Sequence, residues 1–308
     1  MANLYWSIYK NLEYEVLNLA KLIHFDDKQL SVYSVRIADL LIRCAVEIEA
    51  ISKELYEKNG GSMIDEDGKE KQLFFDTDCL DFLESKWTLG KKNVLIVGTD
   101  TYFENEVSRT LAPLFKANLR GKCDWKKAYQ AVKHDRGKNL QKASVKNLLS
   151  ALAALFLLNV YYKANNAVFL NKVQKLSDVN FGSKMFEIKT SICTFEFPNK
   201  GCSLDEECIC ATYIIKQTED SYGKYYNEVK IGFDKQLSLL YDNGYERVEN
   251  EDGELEDVDY ADVYKIAAEL GGSVLVQKIL SAETKSKAIN FLCYEAILNK
   301  SSRISFNL

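Results

Sequence analysis

The sequence predicts a mainly α fold: an N-terminal helical bundle over residues 1–165, then a C-terminal α+β domain with short antiparallel strands over residues 175–308. Three observations predict it. Only two prolines, Pro113 and Pro198, occur in 308 residues, so long stretches lack the strongest helix breaker. Apolar residues recur at steps of three and four through much of the first half, which is the period of one helix face. Beyond about Asn165 the texture changes to short β-rich runs separated by polar turns, the mark of antiparallel strands. The length agrees, since about 150 residues make an average domain.

The first helix is expected over about Leu4 to Leu22, with Leu12, Val16, Leu19 and Leu22 near helical spacing, and His24-Phe25-Asp26-Asp27 breaks it. A second helix is expected over Val32 to Lys58, capped by Ser31 or Ser34. Its stripe of Ile37, Leu41, Cys44, Ile48, Ile51 and Leu55 keeps steps of three and four without a miss. Arg43 and Glu47 lie one turn apart beside it and can pair. Gly60-Gly61 ends this helix, and a polar loop runs to Lys71. Short helices are expected over 78–87 and 104–117, with the β-branched run 92–98 as a strand between them.

Trp125 to Arg136 reads as a helix, with Gly137 placed as its left-handed terminator. Ser144 can cap the next helix, Val145 to Lys163, whose Leu, Phe and Val residues surround it completely and place it at the centre of the bundle. Downstream, 185–197, 208–216 and 228–233 read as strands. Helices follow over 260–270, stopped by Gly271-Gly272, then over 273–280 and 283–300.

Composition narrows the function. Hydrophobic residues are 47% and charged residues 28%, which is globular rather than disordered or fibrous. The net charge of −5 provides no global basic field for duplex DNA, so a nucleic-acid contact must be a local patch. Eight cysteines in this length fall short of a disulfide scaffold. The first residues, Met1 to Trp6, lack the layout of a signal peptide, and the apolar stretch 148–162 is interrupted and short for a bilayer span. A cytoplasmic chain with reduced thiols and no membrane contact is expected. Gly90 and Gly98 flank a strand without making a phosphate loop, and neither G-x-S-x-G nor H-E-x-x-H occurs. That argues against an ATPase, a serine hydrolase and a zinc protease.

The chain has two histidines, His24 and His134. His134 lies in Lys133-His134-Asp135-Arg136 at a helix end. Histidine titrates near neutrality, which suits general acid or base work, and Lys133 and Arg136 can hold a phosphate beside it. On the helix, Trp125, Tyr129, Val132 and Arg136 share one stripe, while His134 faces the side of Lys127, two turns earlier. The same residues are also what a helix C-terminus favours through its dipole. Both readings stay open at this level.

The segment 125–136, the polar loop after it and the Leu/Ala-rich helix at 145–163 resemble HEPN-type helical domains over about the first 165 residues. The long second helix with Arg43 and Glu47 resembles their bundle too. Many members of that superfamily are metal-independent endoribonucleases of bacterial toxin and anti-phage systems, and others are inactive binding modules. In active members an Arg and a following His share one helix, and dimerisation joins two motifs in one cleft. No arginine precedes His134 at that distance; Lys127 stands there instead, keeping the charge without the planar fork. The resemblance implies two functions. In the first, His134 moves the proton while Lys133, Arg136 or Lys127 stabilises phosphorane charge on RNA, with Arg43, Glu47 and Asp135 in support. In the second, the chain is a non-catalytic interaction or dimerisation module, as a homo-oligomer or with a partner protein.

No metal or other cofactor is expected. Cys193, Cys202, Cys208 and Cys210 could in principle gather a zinc ion, but they lack the paired C-x₂-C spacing of structural sites. The stretch from Glu246 to Asp262 carries nine carboxylates and Arg247. It reads as a solvated loop or a docking surface for a basic partner, because Val248 stands where a calcium loop needs an oxygen ligand.

Overall fold

The computed structural model describes residues 4–65, 67–163, 168–170, 182–193, 206–246 and 258–300. The fold is mainly α with a C-terminal α+β part. Helix α1 (Leu4–Ala20) buries Tyr9, Leu12, Val16 and Leu19 but leaves Leu22 exposed beyond its end. Helix α2 (Val35–Lys58) starts at Ser34, whose side chain accepts a hydrogen bond from the Ile37 N–H, satisfying one orphan donor of the first turn. All six residues of its expected stripe are buried.

A wide π-helical turn, Phe75–Leu80, runs into α3 (Asp81–Trp87). Strand β1 (Val94–Ile96) follows, then the four-residue α4 (Glu106–Arg109) and β2 (Thr110–Leu111). The helix expected over 104–117 is therefore confined to one turn. Thr110 and Leu111 pair with β1 instead, and Pro113 restricts the residue before it to extended geometry.

Helix α5 spans Asp124–His134 and stops two residues before the expected end; Arg136–Asn139 forms the short α6. Asp135 makes the break. Its carboxylate accepts from the Lys138 N–H at 3.1 Å, so it caps the second turn while closing the first. Gly137 sits inside α6 and takes no left-handed conformation, so its expected role as terminator falls to Asp135.

Helix α7 (Val145–Lys163) is the centre of the bundle. Leu148, Leu152, Leu155, Phe156 and Leu158 are wholly buried, and α1, α2 and α5 all pack against it. Its 19 residues are long and apolar enough to cross a bilayer by length and composition, yet most of that surface is buried within the fold. The Asn147 N–H reaches the Ser144 hydroxyl at 3.4 Å at its start.

The C-terminal part contributes β3 (Val168–Leu170), β4 (Phe186–Ile188), β5 (Thr190–Cys193), α8 (Glu206–Cys210) and β6 (Tyr213–Gln217). Next come α9 (Glu219–Asp242), α10 (Val263–Ala282), α11 (Lys285–Ala288) and β7 (Tyr294–Leu298). One sheet has the order β2-β1-β4, all antiparallel; the other has the order β3-β7-β6-β5. In the second sheet β5 and β6 run parallel, against the expectation of antiparallel strands throughout. Met185, Phe186, Tyr213, Ile215, Ala296 and Leu298 join the same apolar cluster as the bundle.

Three further expectations are corrected here. Residues 228–233 lie within α9, because Tyr222, Tyr225, Val229, Gly232, Gln236 and Leu240 bury one face at steps of three and four. Gly232 is required there, since a Cβ would come within 2.5 Å of the Thr284 hydroxyl. Cys208 to Cys210 belong to α8, so the expected strand begins only at Tyr213. The helix expected over 283–300 gives way to β7, which lies between β3 and β6. The stop at Gly271-Gly272 is present as a break within α10, with Gly272 at φ +56°, ψ −150°, a conformation open mainly to glycine.

One buried carboxylate ties the two parts together. Glu13 on α1 accepts from the Tyr9 hydroxyl (2.9 Å), the Ser183 hydroxyl (2.5 Å) and the Lys184 and Met185 N–H groups (2.8 and 3.1 Å). Lys10 pairs with its other oxygen. Burial pushes the carboxyl pKa up, but the bonds from Lys10, Ser183, Met185 and Tyr9 outweigh it and hold it below the ordinary value. A depressed native pKa stabilises the fold above the unfolded pKa, and that stability fades as pH falls through the native one. Glu13→Ala leaves buried donors unpaired and should cost about 1–3 kcal/mol in urea unfolding at neutral pH. The variant should also flatten the acid limb of the stability profile; an unchanged limb would show that Glu13 does not carry it.

Candidate functional site

Helix α5 is amphipathic, and its two faces have separate jobs. Trp125, Ala128, Tyr129 and Val132 point inward, and the Trp125 indole N–H donates to the Pro113 carbonyl at 2.8 Å. At its C-terminal end the basic residues turn back onto the bundle. Lys133 donates to the Tyr129 hydroxyl at 3.2 Å, and that hydroxyl donates to Glu49 on α2 at 3.1 Å. The phenol of Tyr129 is pushed up by burial and by Glu49, with Lys133 opposing, while the hydroxyl bond raises the Lys133 amine in turn. Arg136 donates to Asp39 of α2 at 2.8 Å. Asp135 is occupied as a cap.

His134 itself is exposed, and among the described residues no side-chain hydrogen bond or ion pair holds it. Lys127 lies seven residues earlier, about 10 Å along the helix axis, with Asp124 at 3.3 Å. The expected support from Arg43 and Glu47 is also rearranged. Arg43 pairs with Glu15 of α1 at 2.6 Å, and Arg36 takes the other oxygen of the same carboxylate. Glu47 is half-buried, which raises its carboxyl pKa against the pull of Arg43. The cross-helix geometry wins because Glu15 can receive two guanidinium groups at once, whereas a pair one turn apart on a helix is worth only about 0.2–0.5 kcal/mol. Of the expected set, Arg136 is thus brought onto α2 and Lys133 reaches it only through Tyr129, while His134 and Lys127 remain apart.

Lys127 instead borders a cleft of about 590 Å³ between α2, the π-helical turn and α5. Lys126 forms part of its lining and is almost wholly buried. Its ammonium donates to Asp76 (2.8 Å) and to the carbonyls of Ala117 (2.7 Å) and Leu119 (2.9 Å). Burial pushes the Asp76 carboxyl up, but Lys126 and the Thr77 N–H outweigh it and hold it below the usual carboxylate range. The wall also includes Glu49 and Lys53 of α2, Phe74, Arg120 and Gln130. Sequence reading passed over these residues, because they converge from segments far apart in the chain. Only Glu49 and Lys53, one turn apart on the flank of α2, carried any local signal.

Cys208 and Cys210 lie on helix α8. Cys208 is buried with its sulfur 3.2 Å from the Ser191 hydroxyl, and Cys210 is partly exposed. In a helical turn residues two apart point in different directions, so the two thiols do not share the face that the strand expected over 208–216 would give them. Cys202 and the side chain of Cys193 lie outside the described residues, as do residues 247–257 of the acidic stretch. Among the described residues no group of three or more His, Cys, Asp and Glu is placed to hold a metal ion.

Lys126→Met leaves Asp76 and two carbonyls without their cation, and should lower unfolding stability by about 3–5 kcal/mol. Its exposed neighbour is the control: Lys127→Met should stay within about 0.5 kcal/mol of wild type. Equal losses from the two would contradict the assignment of Lys126 as an anchor.

No protein-family model, curated protein or solved structure matches the chain.

Proposed function

We propose that the chain is a cytoplasmic HEPN-like effector of a bacterial toxin or anti-phage system that works by binding, as an oligomer or with a partner, rather than by cleaving RNA through Lys133–Arg136. The resemblance supplies the class, and the setting of His134 supports binding over cleavage. A general acid or base needs its nitrogen within hydrogen-bond reach of the reacting atom and its ring oriented by another group. His134 stands exposed at the end of α5, and no orienting partner is present among the described residues. The cations beside it serve the fold: Lys133 braces Tyr129 against Glu49, and Arg136 ties α6 to α2. A basic helix end that favours the dipole and pins neighbouring helices accounts for Lys133, His134 and Arg136, and Asp135 caps α6.

Incubating the purified full chain with RNA in EDTA tests this reading. Wild type and His134→Ala should show the same background and the same melting. Cleavage by wild type that falls about 10²-fold or more in a folded His134→Ala protein would establish the nuclease instead.

A further inference from the structure

The binding reading leaves open what the cleft between α2 and α5 receives. Lys126 contributes its charge to the wall, where Asp76 and two carbonyls absorb it. Three other cations, Lys53, Arg120 and Lys127, reach the cleft with exposed side chains from three separate segments. Among the described residues, Lys53 and Arg120 form no ion pair, and Lys127 has only the exposed Asp124 beside it. Phe74 adds a ring that remains 50% exposed, with the Arg120 guanidinium 5.9 Å from its centre. Phe75 is buried next to it, so the backbone that presents Phe74 is anchored. Both aromatic residues stand at the start of a π-helical turn, a geometry that recurs at functional sites.

A flat ring beside cations complements a ligand that is aromatic at one end and anionic at the other. An exposed aromatic face stacks on any nucleobase, and Arg and Lys bind phosphate. Gln130 and Glu49 provide an amide and a carboxylate acceptor for the polar edge of a base. Glu49 also repels phosphate, which places the phosphate toward Arg120, Lys53 and Lys127. The volume lies within the range of small-ligand sites, about 300–1,000 Å³. We infer that this cleft binds a nucleotide unit, with its base on Phe74 and its phosphate among Arg120, Lys53 and Lys127.

The unit has two sources, and Lys127 distinguishes them. It also lines a second cleft, of about 500 Å³, with Lys142 and Lys146. The next phosphate of an RNA strand would enter that cleft, whereas a free nucleotide ends at Lys127.

The test is equilibrium binding of AMP, ribose 5-phosphate and a short labelled oligoadenylate to the full chain. AMP and the oligonucleotide should bind more tightly than ribose 5-phosphate. Phe74→Ala, an exposed change whose folding is checked by melting, should weaken both by at least about fivefold and leave ribose 5-phosphate unaffected. Lys53→Gln with Arg120→Gln should weaken all three and reduce the salt dependence. A Lys142→Gln, Lys146→Gln double variant that loses oligonucleotide affinity alone identifies RNA as the source; unchanged affinity identifies the free nucleotide. Absence of saturable binding by wild type, or a Phe74→Ala protein that binds AMP and oligonucleotide normally, overturns the assignment. Neither result depends on whether RNA is cut.

Discussion

A helix without a polar face cannot lie at the surface, and α7 imposes that constraint on everything around it. From Ala151 to Tyr161 each residue is buried. Helices α1, α2 and α5 cover much of its circumference, each bringing its own apolar stripe. The downstream chain contributes too: β4 packs against α7, and the Phe156 and Phe186 rings meet at 5.8 Å. Apolar burial contributes about 25 cal/mol per Å², so leaving one side of α7 bare would forgo several large side chains. The α+β part is therefore joined to the bundle core and does more than follow it in the chain.

Apolar packing brings these layers together without fixing their register, and buried polar anchors supply the direction. Glu13 gathers the 183–185 backbone onto α1. Lys126 gathers the 117–119 carbonyls and Asp76. Lys92, buried within the fold, donates to the Ile209 carbonyl at 2.9 Å, and burial pushes its amine down to about 8. Asn299 donates to the carbonyls of Cys208 and Ala211, while its own carbonyl accepts from Tyr161. Each anchor is an ionisable or amide group bonded to the backbone of another segment. Unpaired buried groups of this kind are costly, so misdocked arrangements are penalised more heavily than a purely greasy interface would penalise them.

The same economy separates the basic residues into two populations. Lys126 is buried against Asp76, while Lys133 and Arg136 stay exposed but are paired with Tyr129 and Asp39. Lys53 and Arg120 remain exposed around a half-exposed phenylalanine. Charge adjacency in the chain pointed to Lys133-His134-Asp135-Arg136 as the chemical centre. Adjacency in space points instead to a cleft whose parts come from α2, the turn before α3, the segment before α5, and α5 itself.

Periodicity alone determined helices α2 and α7. The α2 stripe and the buried α7 were legible because burial on one face writes itself into every third or fourth residue, and the cap was narrowed to Ser31 or Ser34. The break at Gly271-Gly272 was legible for a local reason of the same kind. Tertiary structure decided the rest. Tyr294 to Leu298 became a strand because β3 and β6 offered it hydrogen bonds on both edges, and short apolar runs have no intrinsic preference strong enough to resist that. Residues 228–233 stayed helical because their neighbours on both sides continue one buried face. Arg43 chose Glu15 over Glu47, and Lys126 vanished beneath the surface while Lys127 remained on it. Partners distant in the chain leave no spacing to read, and electrostatic pairing depends on distance through space.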